Sequence, residues 1–104
     1  MEVILNKENF EREVLNEERL VLIDFWATWC GPCQMIAPVI EDIANSQKDK
    51  VKVCKVNVDD EQEMAIKYGV MSIPTLLFIK KGEPIKTVVG FHSKSELEEI
   101  INSL

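Results

Sequence analysis

Short apolar runs alternate along this chain with segments in which apolar residues recur at helical spacing. The run Leu20–Trp26 is almost continuously apolar, which is typical of a strand covered on both faces in a mostly parallel sheet. Shorter runs predict a first strand over residues 3–5 and a third over residues 51–58. Residues 75–80 and 85–89 are separated by Lys81, Gly82 and Glu83, and this pattern predicts an antiparallel hairpin.

Four helices are predicted around these strands. In the first, Asn6 caps a helix that extends through residue 15 and places Phe10 and Val14 on one face. The third begins at Asp59 or Asp60, extends through residue 68 and ends at Gly69.

The second helix begins around Cys30 or Gly31, because Pro32 fits the first turn, where its missing N–H costs nothing. Pro38 lies inside this helix and is expected to kink it. The predicted buried face consists of Met35, Ile36, Val39, Ile40 and Ile43. The last helix is opened by a capping box over residues 93–96, with an inner stripe of Leu97, Ile100, Ile101 and Leu104.

The order β-α-β-α-β-α-β-β-α indicates an α/β fold with a central sheet and helices on both faces. The 104 residues, 46% hydrophobic and 29% charged, are those of one globular domain spanning residues 1–104. A net charge of −6 and a pI near 4.8 argue against binding to nucleic acid or to an anionic membrane. No run approaches the roughly 18 apolar residues of a membrane span.

The compartment is predicted from the N-terminus and the cysteines. Residues 1–6 carry neither a basic region nor a long apolar region, so no signal peptide is expected. Three cysteines, an odd number, do not make the disulfide framework of a small secreted protein. We therefore expect a cytoplasmic protein, and in that compartment a disulfide is usually transient and catalytic.

Cys30 and Cys33 are the strongest chemical signal, because positions i and i+3 are neighbours on a helix. At the helix start the partial positive charge favours a thiolate, so Cys30 is the predicted attacking thiol and the more exposed one. Cys33 is the predicted resolving thiol. The alternative is half of a zinc site, for which only Cys54 and His92 are available as further ligands.

Asp24 interrupts the apolar run of the second strand. A carboxylate in a covered strand is costly when charged, so its pKa is expected to be raised, and it could then exchange a proton near neutral pH. We predict that it accepts the proton of Cys33, directly or through one water. The alternative is a structural carboxylate satisfied by a backbone donor or by Lys55.

The segment Phe25-Trp26-Ala27-Thr28-Trp29-Cys30-Gly31-Pro32-Cys33 resembles the active-site segment of the thioredoxin family. The resemblance continues with correct spacing through Pro38, residues 55–59, residues 72–75, Lys81-Gly82 and Val89-Gly90. It implies a five-stranded mixed sheet flanked by four helices. It also implies the activity of a general protein disulfide reductase, a thiol-disulfide oxidoreductase.

The resemblance assigns roles to individual residues. Cys30 matches the nucleophile, Cys33 the resolving cysteine and Asp24 the buried carboxylate that transfers a proton. Lys55 matches a lysine that tunes this carboxylate. Pro74, which the residues alone leave as a strand-edge proline, matches a cis-proline facing the disulfide. The implied substrate-binding surface consists of Trp29, Gly31, Pro32, Ile73, Pro74 and Gly90.

The resemblance also implies partners. We expect disulfide-containing client proteins, an NADPH- or ferredoxin-linked thioredoxin reductase, a monomer, and no cofactor beyond the Cys30–Cys33 disulfide. Gly31 and Pro32 bring no cation between the thiols, which favours the reducing end of the family's range over a disulfide isomerase. A subunit that uses the fold only for docking is the non-enzymatic alternative.

Two further features of the sequence bear on partner choice and on the third cysteine. Phe91 and His92 follow Gly90 where many family members carry a smaller residue, which bears on partner choice or only extends an apolar rim. Cys54, in a covered strand, is predicted to be an inert core thiol.

Overall fold

The computed structural model describes residues 1–104 and contains one sheet of five strands in the order β1-β3-β2-β4-β5. β1 and β2 both pair with β3 in parallel, whereas β4 runs antiparallel to β2 and to β5, so the sheet is mixed. The strands are β1 Val3–Ile4, β2 Leu20–Trp26, β3 Val51–Asn57, β4 Thr75–Lys80 and β5 Glu83–Val89.

Four helices flank this sheet, which confirms the predicted fold. They are α1 Glu11–Leu15, a single π-helical turn, α2 Gly31–Ser46, α3 Gln62–Lys67 and α4 Lys94–Ser103. The capping box of α4 is present, since Ser93 Oγ accepts from the N–H of Glu96 and the Glu96 carboxylate accepts from the N–H of Ser93. α2 continues through Pro38, and the expected kink there stays a prediction.

The first helix is much shorter than predicted. Asn6 caps the start of this segment, because its side chain and that of Asn9 accept each other's backbone N–H at 2.9 and 2.8 Å, the reciprocal pattern of a helix N-terminus. Residues 7–9 that follow form a turn, and regular helical structure begins at Phe10.

Other boundaries also differ from the predicted ones. β3 ends at Asn57, whose carbonyl oxygen accepts from the N–H groups of Asp60 and Glu61, and this turn delays the start of α3 to Gln62. β5 begins at Glu83, so the hairpin turn contains only Lys81 and Gly82. Both have positive φ angles of 51° and 81°, as tight hairpin turns require.

Alternation along β2 gives each face of the sheet its own core. Leu20 and Leu22 point toward α2 and α4, whereas Val21, Ile23 and Phe25 point toward α1 and α3. Side chains two residues apart on a strand share a face, so Asp24 lies on the side covered by α2. Lys55 of β3 is its register partner and lies on that same face. α2 thus covers a charged pair.

The two sheet edges are irregular. β1 contains only two residues, and β5 carries Pro84 and Lys86 and is interrupted by a register shift opposite Phe78 and Ile79. None of the helices has both the length and the apolar character needed to cross a membrane.

Candidate active site

The two cysteines of the motif are joined by a disulfide at the start of α2, with their Cα atoms 5.2 Å apart. Cys30 is the N-cap residue, in an extended conformation with φ −94° and ψ 113°. Pro32 follows in the first turn, where its fixed φ suits the helix. The sequence therefore folds so that one sulfur precedes the helix and the other belongs to its first turn.

The sulfur of Cys30 lies where a negative charge is stabilised. The backbone N–H of Cys33 donates a hydrogen bond to Cys30 Sγ at 3.2 Å. Such an N–H at a helix N-terminus, together with the partial positive charge there, favours a thiolate over a thiol. Cys30 and Cys33 are 5% and 3% exposed, so Cys30 is the more exposed of the two only by a small margin.

Hydrogen bonds hold the loop that precedes α2. The N–H of Cys30 donates to the carbonyl oxygen of Ala27 at 3.3 Å, and Gln34 Nε2 donates to the carbonyl oxygen of Thr28 at 3.0 Å. Ala27 is fully buried and packs in a small cluster with both cysteines. These contacts fix the geometry at Cys30 from both sides.

Asp24 is fully buried, and burial raises its pKa from 3.8 to about 6, while the positive charge of Lys55 lowers it and the negative charge of Glu2 raises it. Lys55 Nζ lies 3.8 Å from Asp24 Oδ2, an ion pair without a hydrogen bond. Neither carboxylate oxygen has a hydrogen-bond partner within the protein, so no backbone donor satisfies this carboxylate, whereas the ion pair agrees with the other structural alternative, a carboxylate paired with Lys55. Lys55 Nζ also makes a cation–π contact with the Trp26 ring, 4.8 Å from its centroid.

The loop before β4 comes next to the disulfide. The Ile73-Pro74 peptide bond is cis, as the resemblance implied, and Pro74 is buried. Cys30 Sγ lies 3.7 Å from the carbonyl oxygen of Ile73. The N–H of Gly90 donates to the carbonyl oxygen of Pro74 at 2.8 Å, and Gly90 has a φ of +87°, which favours glycine. The structure therefore brings Ile73, Pro74 and Gly90 together beside Cys30.

An open apolar groove of about 390 Å³ begins at Trp29, whose side chain is 69% exposed. Met71, 96% exposed, lies on the same groove. Gly31 and Pro32 are exposed at the start of α2. The other lining residues of the groove are Val58, Ala65, Val70, Ser72 and Ile73.

Two residues at the site were missed in the sequence. Asp59 accepts a hydrogen bond from Trp29 Nε1, although the pattern had placed it at a helix start. Glu2 has a carboxylate oxygen buried without a partner, and its charge acts on Asp24. A glutamate directly before the apolar pair of β1 was the only signal for the latter.

Cys54 and His92 do not join the cysteine pair in a metal-ligand cluster, and no group of three or more His, Cys, Asp or Glu side chains is placed to hold a metal ion. Cys54 is a free, fully buried thiol whose pKa burial raises to about 12. The Nδ1 atom of His92 lies 3.1 Å from the carbonyl oxygen of Gly90. Phe91 is 48% exposed, and its effect on partner choice stays a prediction.

Comparison with known proteins identifies the family. The Thioredoxin family model matches residues 1–103. The chain is 58% identical over 85 residues to a thioredoxin of Bacillus subtilis (strain 168), covering 82% of each chain. It is 52% identical over 93 residues to a thioredoxin of Listeria monocytogenes serovar 1/2a, covering 89% of this chain and 88% of the relative.

A third relative, Thioredoxin M5, chloroplastic, of Oryza sativa subsp. japonica, is 47% identical over 100 residues, which cover 96% of this chain and 58% of the relative. Disulfide-containing clients and a thioredoxin reductase are the general kinds of partner for such a protein. The chain belongs to the thioredoxin family and is a dithiol–disulfide reductase that works through the Cys30–Cys33 disulfide without a bound cofactor.

Proposed function

We propose that this protein is a general reductant of protein disulfides in which Cys30 is the nucleophile and Cys33 the resolving thiol. The observation that carries this assignment is the hydrogen bond from the Cys33 N–H to Cys30 Sγ at the start of α2. It stabilises negative charge on Cys30 and not on Cys33. The order of the two thiols along the helix thus sets their order in the reaction.

The reaction transfers two electrons. The Cys30 thiolate attacks one sulfur of the client disulfide, which forms a mixed disulfide and releases the first client thiolate. Cys33 loses its proton and attacks the Cys30 sulfur, which forms the Cys30–Cys33 disulfide and releases the second client thiolate. The client is reduced to a dithiol, and the cysteine pair is oxidised.

Asp24 is the proposed acceptor of the Cys33 proton. It lies on the sheet face covered by α2, the helix whose first turn contains Cys33. Its pKa of about 6 lets it accept a proton and return it near neutral pH. Lys55 lies 3.8 Å away, and we propose that its positive charge lowers the pKa of Asp24 enough for the proton to be released again.

Clients are proposed to dock on the surface around the disulfide. The backbone of Ile73 beside Cys30 can pair with an extended client segment, and Pro74 holds that segment close to the disulfide. The rest of this apolar surface is formed by Trp29, Gly31, Pro32 and Gly90, and its two glycines have no side chain that could obstruct a client. A docking surface of this kind selects exposed, extended segments and is tolerant of their side chains.

The remaining features of the proposed function concern the setting. We infer a single domain over residues 1–104 that acts as a monomer in the cytoplasm and is reduced again by an NADPH- or ferredoxin-linked reductase. The free thiol of Cys54, which lies in the core, is compatible with a reducing compartment.

The test is the equilibrium potential of the Cys30–Cys33 pair against a defined dithiol buffer, read from the fluorescence of Trp26 and Trp29. We expect a reduction potential of about −270 mV, the value for thioredoxin. A potential of about −180 mV, the value for protein disulfide isomerase, would reassign the protein as an oxidant or isomerase. Full cellular rescue by a Cys30→Ser/Cys33→Ser double variant would favour a docking subunit instead.

A further inference from the structure

Glu2 immediately precedes β1 and lies on the same sheet side as Asp24. The register pairs Val3 with Cys54 and Ile4 with Lys55. Val3 packs with Cys54 in the core on the α1 and α3 side. Because side chains alternate along extended chain, Glu2 is directed to the opposite side, which α2 covers.

The Glu2 carboxylate is partly withdrawn from solvent. Its Oε2 atom is buried and has no hydrogen-bond partner in the protein. The strand order places β3 between β1 and β2, so Lys55 lies between the strand that Glu2 leads into and the strand that carries Asp24. Two carboxylates and one ammonium group therefore share this side of the sheet.

No further charged side chain faces Asp24, Lys55 and Glu2 from the elements packed against them. β4 places the apolar Leu76 opposite Asp24. α2 covers this side with Ile36 and Ile40, while its two carboxylates, Glu41 and Asp42, are exposed and Asp42 pairs with Lys94. Burial has the largest effect on the pKa of Asp24 and raises it, and the charges of Lys55 and Glu2 then act on it in opposite directions. The balance between these two charges therefore adjusts how readily the buried Asp24 takes up a proton.

We propose that Glu2 is a positioning residue for thiol–disulfide exchange, which sets with Lys55 the charge balance in which Asp24 takes up and releases its proton. This inference rests on the proposed role of Asp24 as the proton acceptor of Cys33. The negative charge of Glu2 opposes the positive charge of Lys55, so that the buried Asp24 carboxyl stays protonated to a higher pH than it would beside Lys55 alone.

The test is a carboxyl-carbon NMR titration of Asp24 in the oxidised full-length protein and in Glu2→Gln, which keeps the shape and removes the charge. We expect the Asp24 midpoint to move to lower pH in Glu2→Gln. The Glu2→Asp variant, which keeps the charge, should titrate near the parent protein. Glu8→Gln, at an exposed position nearby, removes the same charge and should leave the midpoint unchanged.

The kinetic arm measures the resolution step against pH in the same four proteins. Its acid limb should move to lower pH in Glu2→Gln only. An unchanged Asp24 midpoint in Glu2→Gln overturns the inference, even where Asp24→Asn shows that Asp24 is needed. A shift of equal size in Glu8→Gln overturns it too, because the effect would then reflect net charge.

Failure of the proposed function gives a different result. If Asp24→Asn resolves mixed disulfides at the parent rate, the proton-acceptor role of Asp24 is wrong, and Glu2 has no catalytic effect to exert. The NMR midpoint in Glu2→Gln is measured independently of that outcome. The two failures are therefore separable.

Discussion

The indole of Trp29 donates a hydrogen bond from Nε1 to Asp59 Oδ2 at 2.8 Å. This contact joins the loop before α2 to the turn after β3, two segments 30 residues apart in the chain. Trp29 is 69% exposed, so packing alone does not fix its ring. Asp59 therefore orients the largest apolar side chain at the entrance to the groove.

Loss of this hydrogen bond should weaken client docking. In Asp59→Ala, we expect the KM for a protein disulfide to rise about three- to tenfold, the equivalent of about 0.7–1.4 kcal/mol, with a small change in kcat. Asp60→Ala removes a charge from the neighbouring exposed position and should leave KM close to its parent value. An equal rise in KM in both variants would show that the loss of negative charge, and not the orientation of Trp29, weakens docking.

The buried carboxylate should make stability depend on pH. Because the folded pKa of Asp24 is raised from 3.8 to about 6, the folded state binds more protons than the unfolded state between these values. The contribution of Asp24 to the unfolding free energy of the oxidised protein should therefore fall by about 2 kcal/mol as pH rises from 4 to 7, and then level off. Denaturant unfolding across this range measures the effect.

In Asp24→Asn, this decrease should disappear, so the variant is expected to be more stable than the parent protein above pH 7 and similar to it near pH 4. Asp60→Asn, which alters an exposed carboxylate, is the matched control. The same pH slope in Asp24→Asn and in the parent protein would contradict the prediction.

Asp24→Asn should also slow the second chemical step. Since an amide cannot accept the Cys33 proton, we expect resolution of the mixed disulfide to fall by about 10²-fold near pH 7, the lower end of general-base effects. The attack by Cys30 should change little. Rapid mixing of reduced protein with a disulfide peptide, followed by tryptophan fluorescence, separates the two steps, and a uniform slowing of both would point to a structural defect.

The order of the thiols can be tested by trapping. Cys33→Ser should accumulate a stable mixed disulfide between Cys30 and a client, because no second thiol is present to release it. Cys30→Ser should trap little, since the N–H group that favours a thiolate donates to Cys30 Sγ, whereas Cys33 lies inside the helix. Mass spectrometry under non-reducing conditions measures both, and preferential trapping by Cys30→Ser would reverse the assignment.

Much of the fold could be predicted because the apolar pattern was strong. The seven residues of β2 and the capping box at Ser93 carried signals that depend on local sequence only. The start of the first helical segment could be predicted from Asn6, whose side chain accepts from the N–H of Asn9 as an N-cap does. Its length was overestimated, because residues 7–9 form a turn before the regular helix.

Some residues of the site could likewise be predicted from local sequence, and others could not. Cys30, Cys33 and Asp24 could be found because each departs from its local pattern in a chemically specific way. Asp59 and Glu2 could not, because an acidic residue in a turn or beside an edge strand is ordinary. Their place at the site depends on residues distant in sequence, Trp29 in one case and Asp24 in the other.

The irregular sheet edges have a consequence for the resistance of the protein to aggregation. A long, flat, regular edge strand invites other chains to add to the sheet, and such addition leads to aggregation. Here one edge is only two residues long, and the other combines a proline, a lysine and a register shift. A reductase that repeatedly meets extended segments of other proteins is thereby protected from binding them permanently as additional strands.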